Sequence, residues 1–153
     1  MRQRIYIDTS VVGGFFDEEF LDPTRRLFKR LEDNEITFVI SDLLELELIQ
    51  APKRVSELLL SYPANRFERV ELTTETMTLA DRYIAEKVVG PTSLEDCRHI
   101  ALATICKVDA LASWNFKHIV NLDRIKGYNS VNLRLGYATL EIRTPQELVR
   151  YGD

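Results

Sequence analysis

Short apolar runs of strand character alternate with amphipathic helical runs along the whole chain, and this alternation constrains the fold more than any other feature. ITFVIS, residues 36–41, is too continuously apolar to leave one face wet, so a strand made from it needs cover on both sides. RIYID (4–8), FERVEL (67–72), DALASW (109–114) and ATLEIR (138–143) supply four more strand-like runs. Between them lie segments with helical periodicity: TRRLFKRLEDN (24–34, apolar at Leu27, Phe28 and Leu31), DLLELELIQA (42–51), KRVSELLLSY (53–62), TETMTLADRYIAEKV (74–88) and LEDCRHIALATICK (94–107). TPQELV then opens a last helical turn, with Thr144 as N-cap, Pro145 at the first helical position and Glu147 placed to close a capping box. Strands separated by helices are joined by right-handed crossovers, which predicts an α/β fold: a three-layer α/β/α sandwich around a mostly parallel, roughly five-stranded sheet.

The chain has 153 residues, 45% hydrophobic and 29% charged, within the range of one globular domain with a core that needs no disulfides. No apolar run approaches the roughly 18 residues of a membrane span, and MRQRIYID lacks the features of a signal peptide, so a cytoplasmic protein is expected. Cys97 and Cys106 fall on opposite faces of one helical run and are read as reduced packing residues. A net charge of −4 argues against holding nucleic acid by bulk electrostatics, so such a contact would have to be local. The best local stretch runs from Trp114 to Tyr137, where Lys117, Arg124, Lys126 and Arg134 oppose only Asp123, four minus one or +3, with Phe116, Tyr128 and Tyr137 interspersed. The basic run Arg25, Arg26, Lys29 and Arg30 reads instead as a solvent-exposed face or a subunit contact.

In open α/β sheets ligands bind beyond the carboxyl ends of the strands. Asp8 ends the first strand there. Glu47 sits on an apolar helix face with Leu43, Leu44 and Ala51, after the second strand. Asp96 lies in the first turn of the helix leading to strand four, and Asn115 ends that strand in SWN. Three carboxylates brought together stay ionised only if a cation joins them, and oxygen ligands suit Mg²⁺ or Mn²⁺. An ion held through few protein ligands keeps waters, one of which can attack a phosphodiester.

These residues also carry a family resemblance. IDTSVVGG, SDLLELEL, EDCRHIALA, and DALASWNFKHIVN followed by GY and RTPQEL resemble PIN-domain proteins of the VapC toxin branch, from about Ile5 to Val149. The resemblance implies a single PIN-like domain over residues 1–153 and a metal-dependent ribonuclease of a toxin–antitoxin pair, often homodimeric, inhibited by an antitoxin that covers or invades the acidic pocket. It implies that Asp8, Glu47 and Asp96 hold Mg²⁺ or Mn²⁺. Asn115 falls where many members carry a fourth acid; lacking charge, it would orient a water or the scissile phosphate, and one ion is expected rather than two. Thr9 or Ser10 would bond the aspartate or the metal waters, Gly13 and Gly14 would let the backbone turn tightly near substrate, and Lys117 and His118 would lie near the RNA.

Alternatives stand beside each assignment. Asp8 is also a plausible helix N-cap, and Asp96 falls at the third position after Ser93 in a capping-box pattern, SLED. Glu45 competes with Glu47, which precedes the Leu-Ile pair as the family glutamate does. His99 and His118 lack partners at zinc-ligand spacing. A haloacid-dehalogenase-like phosphatase would need a second aspartate where Ser10 stands. A catalytically weak PIN-fold module that binds RNA or protein without cutting remains the main competing function.

Overall fold

The computed structural model describes residues 2–149. The chain runs through β1 (Gln3–Ile7), α1 (Thr9–Gly14), α2 (Leu21–Glu32), β2 (Ile36–Ser41), α3 (Asp42–Ile49), α4 (Lys53–Glu57), two 3₁₀ turns, β3 (Phe67–Val70), α5 (Thr74–Ala85), a third 3₁₀ turn, α6 (Leu94–Ile105), β4 (Ala110–Ala112), α7 (Leu122–Arg134), β5 (Ile142–Arg143) and α8 (Pro145–Val149). The five strands form one sheet in the order β3-β2-β1-β4-β5, and every pairing is parallel. β1 is central: Ile5 pairs with Phe38 on one side and Ala110 on the other.

Alternation along β1 divides the core between two layers. Ile5 and Ile7 face a cluster formed with Val11 and Val12 of α1, Leu27, Phe28 and Leu31 of α2, Leu44 and Leu48 of α3 and Val149 of α8. Tyr6 faces the other, built from Leu79, Ala80 and Tyr83 of α5, Cys97, Ile100 and Ala101 of α6 and Tyr128 and Val131 of α7. The chain therefore winds from β1 toward β3 with helices on one face, then crosses back to β4 and β5 with helices on the opposite face. Right-handed crossovers require this division. The direction of winding reverses between β1 and β4, so the loops after these two strands diverge and leave a crevice.

Several local expectations need correction. Asp8 lies one residue past β1 and caps α1, a short helix in place of the expected tight turn, so it fills the N-cap role as well as lining the strand edge. The fourth and fifth strands are only three and two residues long. Residues 122–134 are helical. Tyr128 is fully buried and donates to the His118 carbonyl at 2.7 Å. Arg124 donates to the Val88 carbonyl at 2.6 Å, and Arg134 pairs with Glu86. Within the stretch, Arg124 and Arg134 are therefore engaged by other elements, while Lys117 and Lys126 are exposed. On α2, Arg25 lies over the Phe15 ring, Lys29 pairs with Asp33, and Arg30 donates to the Leu148 carbonyl at 2.8 Å, tying α2 to α8. The capping box of α8 is present as read: Thr144 donates its backbone N–H to Glu147 Oε1 at 3.0 Å, and the Glu147 N–H returns to Thr144 Oγ1 at 3.2 Å. Neither cysteine is paired, and burial pushes the Cys97 thiol up to about 12. No helix among the described residues is long and apolar enough to cross a membrane.

The glycine pair does not make a tight turn; it closes α1, and the two positions differ. A Cβ on Gly14 would stand 2.8 Å from the Trp114 ring and 3.0 Å from Thr24 Oγ1, while one on Gly13 would meet nothing within 4 Å. Trp114 Nε1 donates to that same Thr24 hydroxyl at 2.9 Å, so the indole is locked against the Gly14 backbone. Gly14→Ala should therefore cost about 1–3 kcal/mol through overpacking. Gly13→Ala should gain about 0.4–1 kcal/mol by restricting the unfolded chain. Thermal unfolding should show midpoints moving in opposite directions, by roughly 2–4 °C per kcal/mol.

Candidate active site

At the carboxyl ends of β1 and β4, a pocket of about 270 Å³ is lined by Asp8, Thr9, Ser10, Glu47, Asp96, His99 and Asn115. Of the residues singled out in the sequence, it brings together Asp8, Thr9, Ser10, Glu47, Asp96 and Asn115. Lys117 is exposed and His118 half-buried, and neither lines the pocket. Glu45 stands away from it, paired with Arg69.

Asp8 is 4% exposed. Ser10 donates to Oδ1 at 2.6 Å and Ser113, at the end of β4, donates to Oδ2 at 2.6 Å; the Val11 N–H caps Oδ1 at 3.3 Å. Ser10 also accepts the Trp114 backbone N–H at 2.8 Å, and Ser113 accepts that of Asn115 at 2.9 Å. The two hydroxyls thus stitch the β1 loop to the β4 loop through the carboxylate. Burial pushes the Asp8 carboxyl up from its ordinary value, partly countered by His99 and the two serines.

Glu47 behaves differently. Burial alone would raise its carboxyl, but the hydrogen bond and charge of His99, with a hydrogen bond from Thr9, bring it below the usual range. Thr9 Oγ1 donates to Oε1, and His99 Nε2 contacts the same oxygen at 2.7 Å. With Glu47 ionised, Nε2 must carry the proton. His99 Nδ1 lies 2.6 Å from the Tyr6 hydroxyl, and Tyr6 lies 2.8 Å from Ser41 Oγ, which caps α3 by accepting the Leu44 N–H at 3.1 Å. Burial drives the Tyr6 phenol far up, so it stays a proton donor. A relay from Ser41 through Tyr6 and His99 therefore fixes Oε1, while Oε2 makes no hydrogen bond with the described residues.

Asp96 is half-buried in the first turn of α6 and accepts no hydrogen bond among the described residues. Its competing role fails, since Ser93 makes no side-chain capping bond. Burial raises the Asp96 carboxyl, His118 and His99 lower it, and Asp8 and Glu47 raise it again. The Asn115 Oδ1 accepts the His118 N–H at 2.9 Å, and its Nδ2 makes no bond with the described residues.

His99, Tyr6, Ser41 and Ser113 escaped the sequence reading. His99 was weighed only as a zinc ligand, although its place three residues after Asp96 puts it on the same helix face. Tyr6 shares the side of β1 that leads to Asp8.

The donor set is all-oxygen and matches a hard divalent cation in type. Among the described residues no three Asp, Glu, His or Cys side chains converge closely enough to hold an ion unaided. Such an ion would be held by Asp8, Asp96 and the free oxygen of Glu47, with much of its shell left to water.

No family model matches the sequence, and no curated protein matches it significantly. Solved structures do match. A toxin–antitoxin complex from Klebsiella pneumoniae aligns with a TM-score of 0.52 at 18% identity, covering 74% of this chain and 88% of that one. A VapC toxin of Mycobacterium tuberculosis that cleaves the sarcin–ricin loop gives 0.57 at 11% identity, covering 90% and 98%. VapBC2 of Rickettsia felis, bound to a DNA fragment from its promoter, gives 0.56 at 14% identity, covering 93% and 98%. The structural neighbours are thus VapC toxins and toxin–antitoxin complexes, and at these identities the likeness establishes the fold.

The raised Asp96 carboxyl makes a testable statement about stability. A group whose folded pKa lies above its unfolded value stabilises fully below the unfolded value, and that contribution is lost as pH rises through the folded one. In EDTA at neutral pH, Asp96→Asn should therefore melt above wild type. The gap should close as the pH falls below the ordinary carboxyl value of 3.8. Tyr6→Phe should lower stability at all these pH values, by about 1–3 kcal/mol, because it leaves buried His99 Nδ1 without its hydrogen-bond partner. Melting curves of the three proteins across pH check both.

Proposed function

We propose that this protein is a Mg²⁺- or Mn²⁺-dependent endoribonuclease and the toxin of a toxin–antitoxin pair. The observation that carries the reading is the convergence of Asp8, Glu47 and Asp96 on one pocket from the ends of β1, α3 and α6, with Asp96 free of hydrogen bonds among the described residues. The kinship of the fold with VapC toxins supports it. An RNA strand is the substrate, a small antitoxin covering the acidic pocket the regulator, and a cytoplasmic homodimer the working form.

A bound divalent cation supplies charge stabilisation on the phosphoryl oxygens and acidifies a water for attack. The chain's own residues prepare the pocket. Ser10 and Ser113 hold Asp8 by both oxygens, and its burial makes it a site that favours a cation over exposure to bulk water. Thr9 and His99 fix one oxygen of Glu47 and leave the other for the pocket. Asn115 keeps an amide N–H donor for a phosphate oxygen or a water, a role that suits a neutral residue where an acid would repel the backbone. Thr9 and Ser10 hold the carboxylates.

A second reading, a PIN-fold module that binds RNA or protein without cutting, draws on Asn115 and on the absence of a closed three-ligand cage among the described residues.

Incubation of a mixed RNA pool with wild type and Asp96→Asn, each with Mn²⁺ and with EDTA, separates the two. Cleavage that needs metal and falls about a hundredfold or more in the variant is expected. Binding of RNA without cleavage by either protein would favour the module.

A further inference from the structure

Beside the acidic pocket lies a second cavity, of about 530 Å³, lined among others by Phe20, Trp114, Phe116, Asp22 and Gln146. The 114–116 segment forms part of the wall of both cavities. Asn115 lines the acidic pocket, while its neighbours Trp114 and Phe116 line the second, and successive Cα atoms are only about 3.8 Å apart.

The wall of this cavity is aromatic and ordered. Phe20 stacks on Trp114 with ring centroids 4.3 Å apart and planes 20° apart. Phe116 lies 6.2 Å from Phe20 and 6.1 Å from Trp114. Trp114 is held from behind by Gly14 and by its bond to Thr24, and its backbone N–H is tied to Ser10, the residue that bonds Asp8. Yet Phe116 is 50% exposed. An aromatic ring that completes a cluster but leaves half its surface to water has apolar area left to bury against a ligand.

We propose that this cavity is a nucleobase subsite, in which a base of single-stranded RNA next to the scissile phosphate stacks on Phe116, backed by the buried Trp114 and its partner Phe20. The assignment rests on the nuclease reading for the identity of the strand. Its size is in the range of small-ligand pockets. The charges at its rim suit a base rather than a phosphate: Glu19 and Asp22 repel a phosphate, and Arg26, the basic residue there, is paired with Asp22 at 3.4 Å. With the phosphate at Asn115 and the base at Phe116, one nucleotide spans the shared wall. This gives the chain a hold on RNA that does not depend on net positive charge, which it lacks.

The test uses the chain's single tryptophan, which sits in the stack. Full-length protein is titrated in Mg²⁺ with the four ribonucleoside monophosphates, which contain no phosphodiester link to cut, and with ribose 5-phosphate as the base-free control. A saturable change in Trp114 fluorescence with at least one nucleotide, absent with ribose 5-phosphate, is expected. Phe116→Ala should weaken it roughly tenfold or more, Phe116→Leu should weaken it as well, and Phe116→Tyr should retain it. No response to any nucleotide, an equal response to ribose 5-phosphate, or equal binding by wild type and Phe116→Ala would overturn the subsite. RNA cleavage by the same proteins separates this from the catalytic reading. Equal cleavage of RNA by wild type and Phe116→Ala would remove the subsite and leave the nuclease. Nucleotide binding through Phe116 with no RNA cut would leave the subsite and remove the nuclease.

Discussion

The structure turns on one buried carboxylate at the point where the winding of the sheet reverses. Asp8 is placed there because β1 is the central strand and the chain leaves it in one direction toward β2 and β3, only to return on its other side as β4. A carboxylate so buried is costly unless hydrogen-bonded. Ser10 and Ser113 satisfy it, and in doing so they join the two loops that form the crevice. The capping of α1, the position of Trp114 and the placement of Asn115 all follow from that junction. Removing the serine hydroxyls would lose the two hydrogen bonds to Asp8 and the two accepted from the Trp114 and Asn115 N–H groups, and would release the β4 loop from the β1 loop.

The three acids are held at different electrostatic settings. Burial raises both Asp8 and Asp96, neighbouring acids raise Asp96 further, and His99 and Thr9 lower Glu47. Acids in one pocket whose surroundings push them in opposite directions are a mark of functional sites. The relay from Ser41 through Tyr6 to His99 connects this pocket to the inside of the second core layer, so the orientation of Glu47 is set by packing between β1, α3 and α6 rather than by solvent.

Much of this was legible in the sequence because hydrophobic period and strand order leave few alternatives. The parallel sheet, the two helical layers and the edge that gathers Asp8, Glu47, Asp96 and Asn115 follow from alternation and from where ligands sit in such sheets. The resemblance favours Glu47 over Glu45 only because Glu47 precedes the Leu-Ile pair, and the structure places Glu45 on Arg69 instead. What escaped were features set by contacts distant in sequence. His99 and Tyr6 are 93 positions apart, and Ser113 reaches Asp8 across 105. Gly14 looked like turn chemistry, yet its reason is the close approach of Trp114. Whether a basic side chain in residues 114–137 is free also depends on carbonyls and acids brought in by other elements, as Val88 is to Arg124 and Glu86 to Arg134, whereas Lys117 and Lys126 stay exposed.

The central claim is that three carboxylates from separate elements form one cation site. Isothermal titration of the full-length protein with Mn²⁺, in wild type, Asp8→Asn and Asp96→Asn, tests it most directly. The account predicts saturable binding of one Mn²⁺ by wild type, weakened about tenfold or more by either substitution. Equal Mn²⁺ binding by all three proteins, or none by wild type, would contradict it.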